Sequence, residues 1–302
     1  MGARIDSSAL RVAPISVCSG QPCCLARRMK PWGGGRRAGS ARIGSPVYLS
    51  IVLPVYNSGV RLADVVARVV SHCRAHSTLF ELLVVDDGSD EETRATLATA
   101  QREHRELRVL RNAPNRGKGY SIRRAYAECA GTHVVFTDAE LPYGLDSIEA
   151  ALATIDRGAD LVIGSRVLPD SIVRMSPEHF PYIFARHLLG RTMLRAVNLI
   201  FGLAVSDTQC GFKVCRQPVA RYLASRLTID RFAFDVELIL AAKKAGYRIV
   251  EMPVQLNYTG DMTTVRVLRD APVVLRDLFR IKLADWRGRY EPGEAVVQYH
   301  VE

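Results

Sequence analysis

Two carboxylates one residue apart, Asp138-Ala139-Glu140, follow directly on the apolar run HVVFT at residues 133–137. Side by side after a buried strand, two such groups repel each other unless something cationic sits between them. A hard cation such as Mg2+ or Mn2+, bridging to phosphate oxygens, would neutralise them. A second acidic pair, Asp86-Asp87, ends another apolar run and is followed by Gly88-Ser89; Tyr56-Asn57 ends a third. Taken alone, Asp-Asp-Gly-Ser is a good turn with a helix cap behind it, and Tyr56-Asn57 is a loop. Taken together, they bring an aromatic side chain and two carboxylate pairs to one edge, provided the runs are neighbouring strands.

The pattern of the chain supports that proviso. Short apolar runs at residues 48–54, 80–86, 107–110, 133–138 and 160–165 alternate with helical spacing at 60–76, 91–104, 118–129 and 144–157. Near-continuous apolar strands separated by helices predict a parallel sheet buried on both faces, hence an α/β domain of Rossmann-like type. In such a sheet, ligands sit beyond the carboxyl ends of the strands. Past residue 166 the alternation breaks down. A basic and apolar stretch at 181–203 is followed by a strand at 209–215, a helix at 235–244, a strand at 247–254 and an amphipathic helix at 272–286. No internal repeat is visible. The expected organisation is a disordered basic tail over residues 1–46, one folded domain over 47–290 and a short C-terminal tail over 291–302.

Composition narrows the function. With 48% hydrophobic and 24% charged residues the chain is neither collagen, coiled coil nor wholly disordered. Of its net charge of +10, the larger part lies in the first 46 residues, where eight basic side chains face Asp6 alone. Nucleic acid is therefore not an expected partner, since a binder carries its basic stripe on the folded part. The longest uncharged apolar run, residues 196–206, is about half of what a membrane-spanning helix requires. The seven cysteines include no CxxC pair and no cysteine–histidine cluster with zinc spacing, so free thiols in a reducing compartment are expected. The tail lacks the apolar segment of a secretory signal; it is open to reading as an Arg-rich transit segment or as an over-long start ahead of Met29. After the first strand stands PVYNSG rather than G-x-G-x-x-G, and Asn115-Arg116-Gly117-Lys118-Gly119 lacks Walker spacing. Dinucleotide and P-loop chemistry are both excluded on those grounds.

The ordered series VLPVYN, VVDDGS, NRGKGYSIRRAY, FTDAELPY, GSR, DTQCGFKV and FAFDVELI resembles family 2 glycosyltransferases of the GT-A fold. The likeness covers about residues 48–283. DTQCGFK with FAFDVEL is similar to the polyprenyl- and dolichyl-phosphate sugar synthases, the dolichyl-phosphate glucosyltransferase branch above all. The resemblance implies one GT-A domain, a mostly parallel sheet flanked by helices. It implies a nucleotide-sugar donor (UDP-glucose or GDP-mannose) held by Pro54, Tyr56, Val85, Asp87, Lys118 and Asp138, with Lys118 in a mobile glycine turn. Asp138 and Glu140 take the family's Asp-x-Asp position and would bind Mg2+ or Mn2+. Arg166, Gln209 and Lys213 would face an acceptor phosphate, and Cys210 is expected to pack.

Two catalytic assignments follow, Arg166 and Asp235. A guanidinium suits a phosphate dianion because it offers paired donors. Asp235 opens a helix and could serve as its cap. Relatives that act on hydroxyl groups place a general base in this region, but a lipid phosphate is already largely ionised at neutral pH, so Asp235 is expected to orient the site. The resulting reaction is a single displacement with inversion at the anomeric carbon. The sequence departs from the family pattern at Glu140, which replaces a second Asp, at Ser58, which replaces an acid, and at residues 261–266, where only Arg266 approximates a late Lys. A soluble hydroxyl acceptor and a catalytically silent nucleotide-sugar binder are the alternatives. Basic amphipathic stretches at 181–203 and 272–289 offer peripheral contact with a membrane, or pack on the sheet. The expected location is cytoplasmic, at the cytoplasmic face of a membrane.

Overall fold

The structure, a computed structural model, describes residues 48–76, 78–175, 180–257 and 267–291, the side chains of 180–189 and 267–270 excepted. The expectations for residues 1–46, for residues 292–302 and for the loop at 261–266 lie outside the described residues.

Seven strands form one sheet: β1 (Leu49–Val55), β2 (Phe80–Asp86), β3 (Leu107–Arg111), β4 (His133–Thr137), β5 (Leu161–Ser165), β7 (Phe212–Arg216) and β8 (Ile249–Pro253). Their order is β3-β2-β1-β4-β7-β5-β8. Strands β1 to β4 are mutually parallel, whereas β7 runs antiparallel to both β4 and β5. A separate two-stranded parallel sheet joins β6 (Ile172–Arg174) to β9 (Gln255–Asn257). The sheet is mostly parallel, as the apolar runs predict, and β7 is the exception that they could not announce.

Alternation along the strands divides the core into two layers. Ile51, Leu53, Leu82 and Val84 pack with α1 (Arg61–Ala75), α2 (Glu91–Glu103) and α4 (Ser147–Asp156). Val52, Leu83, Val85 and Phe136 pack with α3 (Lys118–Glu128), α6 (Gln217–Arg226) and α7 (Phe234–Lys244). The second layer also receives Val197 and Phe201 of α5 (Phe180–Phe201), and Leu278 and Ile281 of α8 (Val267–Trp286). Side chains of period two thus serve a sheet covered on both faces.

The residues expected to form helices and strands up to residue 165 do so, with no end moved by more than three positions. Three elements are additional: α6, which starts with Pro218 in its first turn, and the short pair β6 and β9. The strand expected from residue 209 begins only at Phe212, because the Gln209 amide turns back to donate to the Asp207 carboxylate at 3.0 Å.

Tyr126 is fully buried, yet its hydroxyl has no hydrogen-bond partner among the described residues. An unmade hydrogen bond costs the desolvation of the group. Tyr126→Phe is therefore expected to raise stability by about 1 kcal/mol, read from urea denaturation; a loss of similar size would show that the hydroxyl is satisfied.

Candidate active site

The carboxyl edge of the parallel strands collects the chemistry. Asp87, 4% exposed at the end of β2, accepts from the amides of Arg116 at 2.9 Å and Gly117 at 2.7 Å and from Asn112 Nδ2 at 2.8 Å. Asn112 also donates to Ser121 Oγ inside α3. The segment before α3 is therefore clipped to the end of β2. From its other side the 229–230 backbone presses in: a Cβ added at Gly119 would meet the Ile229 carbonyl oxygen at 2.4 Å, so only glycine fits there. Buried Glu237 fixes that backbone by accepting from Thr228 N, Thr228 Oγ1 and Ile229 N, and Tyr290 donates its hydroxyl to the same carboxylate at 2.7 Å. The turn expected to be mobile is held on both sides, and Lys118 opens α3 where the helical spacing places its start.

Lys118 Nζ donates to Asp138 Oδ1 at 2.6 Å and lies 5.1 Å from the centre of the Phe136 ring. Burial disfavours the ammonium, but Asp138, Asp235 and Glu140 outweigh it and raise the lysine pKa. Asp138 and Glu140 therefore act on one cation, which stands where two adjacent carboxylates need positive charge. Their oxygens are the donor set that Mg2+ and Mn2+ take, and exposed Glu140 is free to turn toward an ion. The residues present thus fit a divalent metal in the position sequence assigns to it.

Antiparallel β7 completes the edge. Because it runs against its neighbours, its first residues arrive where theirs end: Phe212 lies opposite Thr137. The preceding Gly211 packs on Asp138, and a Cβ added there would lie 1.9 Å from Asp138 Oδ2. The Gly211 amide donates to the Tyr143 hydroxyl at 3.1 Å. Two more ion pairs flank this point. Arg166, after β5, holds Asp207 through Nε at 2.7 Å and Nη2 at 2.9 Å, with its side chain 33% exposed. Lys213 Nζ donates to Asp235 Oδ1 at 2.5 Å and to the Cys210 carbonyl at 2.8 Å. Burial raises the Asp235 pKa against the pull of Lys213 and Lys118. For Asp207, burial acts upward but the Arg166 pair and two amides outweigh it, so its carboxyl stays below the ordinary value.

The structure gathers Lys118, Asp138, Lys213 and Asp235 around Phe136, with Glu140 close enough to act on the Lys118 charge. Tyr56 is exposed just past β1, and its loop is tied to the β2 turn by Asn57 N donating to Ser89 Oγ at 3.0 Å. Pro54 is half-buried opposite Val85 in β1, and Gln209 is exposed. Val85 is fully buried and packs in the core beneath α3 and α7. Lys213, expected at an acceptor, is 1% exposed and instead neutralises Asp235. Asp235 does not cap α7; Ala233 occupies that position without a side-chain bond. Cys210 packs as expected, its thiol pushed up to about 11 by burial. Asp207, Asn112 and Glu237 escaped the sequence reading as working residues. Asp207 and Glu237 stood in the quoted DTQCGFK and FAFDVEL motifs, whereas nothing in the spacing marks Asn112.

Removing one partner of a buried ion pair strands the other. Lys213→Met is expected to cost about 3–5 kcal/mol, and the double variant Lys213→Met/Asp235→Leu to recover most of it, both read from denaturant midpoints. Equal losses in the two proteins would show that the pair is not the cause. The Arg166–Asp207 pair carries a sign in pH. A depressed folded pKa gives stability that is present above the ordinary aspartate value and is lost as pH falls through the folded one. The stability gap between the parent and Asp207→Asn is expected to hold from about pH 7 to about pH 4 and to narrow below that; a gap unchanged in acid would contradict it.

The profile of the Glycosyl transferase family 2 matches residues 50–216. A dolichyl-phosphate beta-glucosyltransferase from Trichomonas vaginalis is 28% identical over 72% of this chain, which spans 66% of that relative's length. One from Drosophila melanogaster is 30% identical over 68% of this chain and 66% of its own. A polyprenol monophosphomannose synthase from Mycolicibacterium smegmatis is 28% identical over 82% of this chain and 91% of its own. Among solved structures, glucosyl-3-phosphoglycerate synthase from Mycobacterium tuberculosis with uridine diphosphate aligns with a TM-score of 0.54 at 21% identity, covering 82% of each chain. The same enzyme with Mn2+, UDP-glucose and phosphoglyceric acid aligns at 0.51 and 19% identity, over 82% of this chain and 81% of that one. These structures share the GT-A architecture. The matched profile covers more than half of the chain, from the first residues of β1 to the end of β7, and the chain belongs to glycosyl transferase family 2.

Proposed function

We propose that this chain transfers a hexose, with inversion, from a nucleotide sugar to a polyprenyl or dolichyl phosphate. UDP-glucose and GDP-mannose are the candidate donors, and Mg2+ or Mn2+ the metal. One observation carries the reading: Lys118 pairs with Asp138, within electrostatic reach of Glu140, at the edge where β7 delivers Gly211, with the Arg166–Asp207 pair at the ends of β5 and the β7 approach. The first group suits a diphosphate with its ion, and the half-buried guanidinium suits a second phosphate. The curated relatives are named for lipid-phosphate transfer, and one solved structure contains Mn2+ with UDP-glucose.

The chain's own residues divide the work. Asp87 and Glu237 hold the turn that aims Lys118. Lys118 offers a proton and a positive charge to the leaving diphosphate, its raised pKa keeping it charged. A divalent ion on Asp138 and Glu140 would stabilise the leaving oxygens as a Lewis acid. Arg166, fixed by Asp207, orients the acceptor phosphate. That acceptor needs no base, since its second pKa lies near about 6. Asp235, buried behind Lys213, suits a positioning role. Membrane contact belongs to the same proposal. Leu275, Phe279 and Trp286 of α8 and Leu199 and Ile200 of α5 are exposed, and Lys282 joins the two helices by donating to the Ile200 carbonyl at 3.0 Å. The apolar residues of α8 thus serve both readings, Leu278 and Ile281 turning inward and the others outward. No helix among the described residues is long and apolar enough to cross a membrane.

The test supplies each donor to the full chain with polyprenyl phosphate in anionic vesicles, with Mn2+ or with chelator. A β-linked lipid product that requires metal is expected, together with sedimentation of the protein with the vesicles at low salt. Asp138→Asn should lose roughly a hundredfold or more in rate, and Asp235→Asn only a few-fold. Transfer untouched by chelator, an α-linked product by NMR, or glycosylation of soluble hydroxyl groups alone would overturn the proposal.

A further inference from the structure

On the α1 and α4 side of the sheet stands a group that the transfer reaction does not use. His72, in the last turn of α1, and His76, the residue that caps it, are one helical turn apart, with ring centres separated by 4.4 Å. Glu149, in the first turn of α4, reaches across so that its Oε1 meets His72 Nε2 at 2.8 Å. One ligand atom from each of the three lies within 4.8 Å of the others. The helix carrying the histidines leaves β1 at the site edge and returns to the start of β2, so both sit toward the end of the sheet opposite Asp138.

The hydrogen bonds show which atoms are free to bind. His76 Nδ1 lies 2.8 Å from the His72 carbonyl oxygen, which can only accept, so Nδ1 carries the proton and Nε2 the open lone pair. A ring nitrogen donating to a backbone carbonyl is the contact that orients ligating histidines in metal sites. His72 is mostly enclosed, with a side chain 14% exposed, whereas Glu149 is 44% exposed and His76 is exposed. One ligand is thus held and two can swing. A tetrahedral ion wants its ligands about 3.4 Å apart, as bond lengths of about 2.1 Å require. Closing from the observed spacing needs only side-chain rotation of the two exposed members.

We infer that His72, His76 and Glu149 form a binding site for a borderline divalent transition-metal ion, Zn2+ foremost, with water in the fourth position. Two imidazole nitrogens and one carboxylate suit Zn2+, Co2+, Ni2+ and Cu2+, whereas the all-oxygen pair at Asp138 and Glu140 suits Mg2+ and Mn2+. On binding, neutral His72 changes tautomer, its proton passing through solvent from Nε2 to Nδ1, and the metal at Nε2 takes the place of the hydrogen bond to Glu149. The ion then ties α1 to α4, whose Val66, Val69, Ile148 and Ala151 belong to one apolar layer. Cysteine-based zinc spacing missed this group because two ligands are histidines and the third lies 77 residues further on.

The experiment titrates Co2+, then Zn2+, into the metal-free full chain in saturating Mg2+, following visible absorption, calorimetric heat and the unfolding midpoint. One equivalent bound with a nitrogen–oxygen spectrum, and a midpoint raised by the ion, are expected. His72→Ala and His76→Ala should each weaken binding by about tenfold or more, with metal-free midpoints near the parent's, while Asp138→Asn binds as the parent does. A thiolate spectrum, which Cys18, Cys23 and Cys24 would give, or equal affinity in the histidine variants, overturns the inference. Lost transfer activity in Asp138→Asn with Co2+ binding intact keeps the fate of this site separate from that of the proposed reaction.

Discussion

A carboxylate can be withdrawn from water only where a cation or several N–H groups replace its hydration, and that constraint organises the site edge. Asp138 has Lys118, Asp235 has Lys213, and Asp207 has Arg166. Asp87 and Glu237 have no cation partner among the described residues and are answered by amides, amide side chains and hydroxyl groups. Five acidic side chains thereby fit into a small volume without mutual expulsion. The two lysines share the face of Phe136, so the pairs are neighbours and Asp235 helps to keep Lys118 charged.

The pairs differ in what they leave open. Lys213 and Asp235 are closed to solvent and satisfied by each other, so they can set the position of β7 against α7 but cannot meet a ligand directly. Lys118 and Asp138 are each more than a quarter exposed, and Arg166 is a third exposed. The accessible members are open to solvent while the Lys213–Asp235 pair is closed to it. Rigidity comes from outside the pairs, through Asp87 on one side of the α3 turn and Glu237 with Tyr290 on the other. A residue near the C-terminus of the folded part therefore contributes to the placement of a lysine near its middle.

Much of this was legible in the sequence. Apolar runs ending in Tyr56, Asp87 and Asp138 announced parallel strands with polar ends, and β2, β1 and β4 are neighbours in that order. The series of short motifs pointed to the family that the profile match shows. Less visible were α6, with its proline start, and the pair β6 and β9, three residues each, too short for periodicity to register. Asp87 was legible as important but not in its structural work, because its partners, Asn112, Arg116 and Gly117, belong to a segment with no strand or helix pattern.

The sequence by itself determined which residues alternate, where strands stop and which acids follow them, because period and turn chemistry are local properties. Only the tertiary structure decided which acid meets which base. The direction of β7 is a matter of pairing between strands 75 residues apart, and it brings Gly211 onto Asp138 and turns Lys213 inward to Asp235. The same holds for His72 and Glu149, on helices that meet only because the sheet buries both on one face. Charge partners are chosen by distance in space and by burial, and neither is written along the chain.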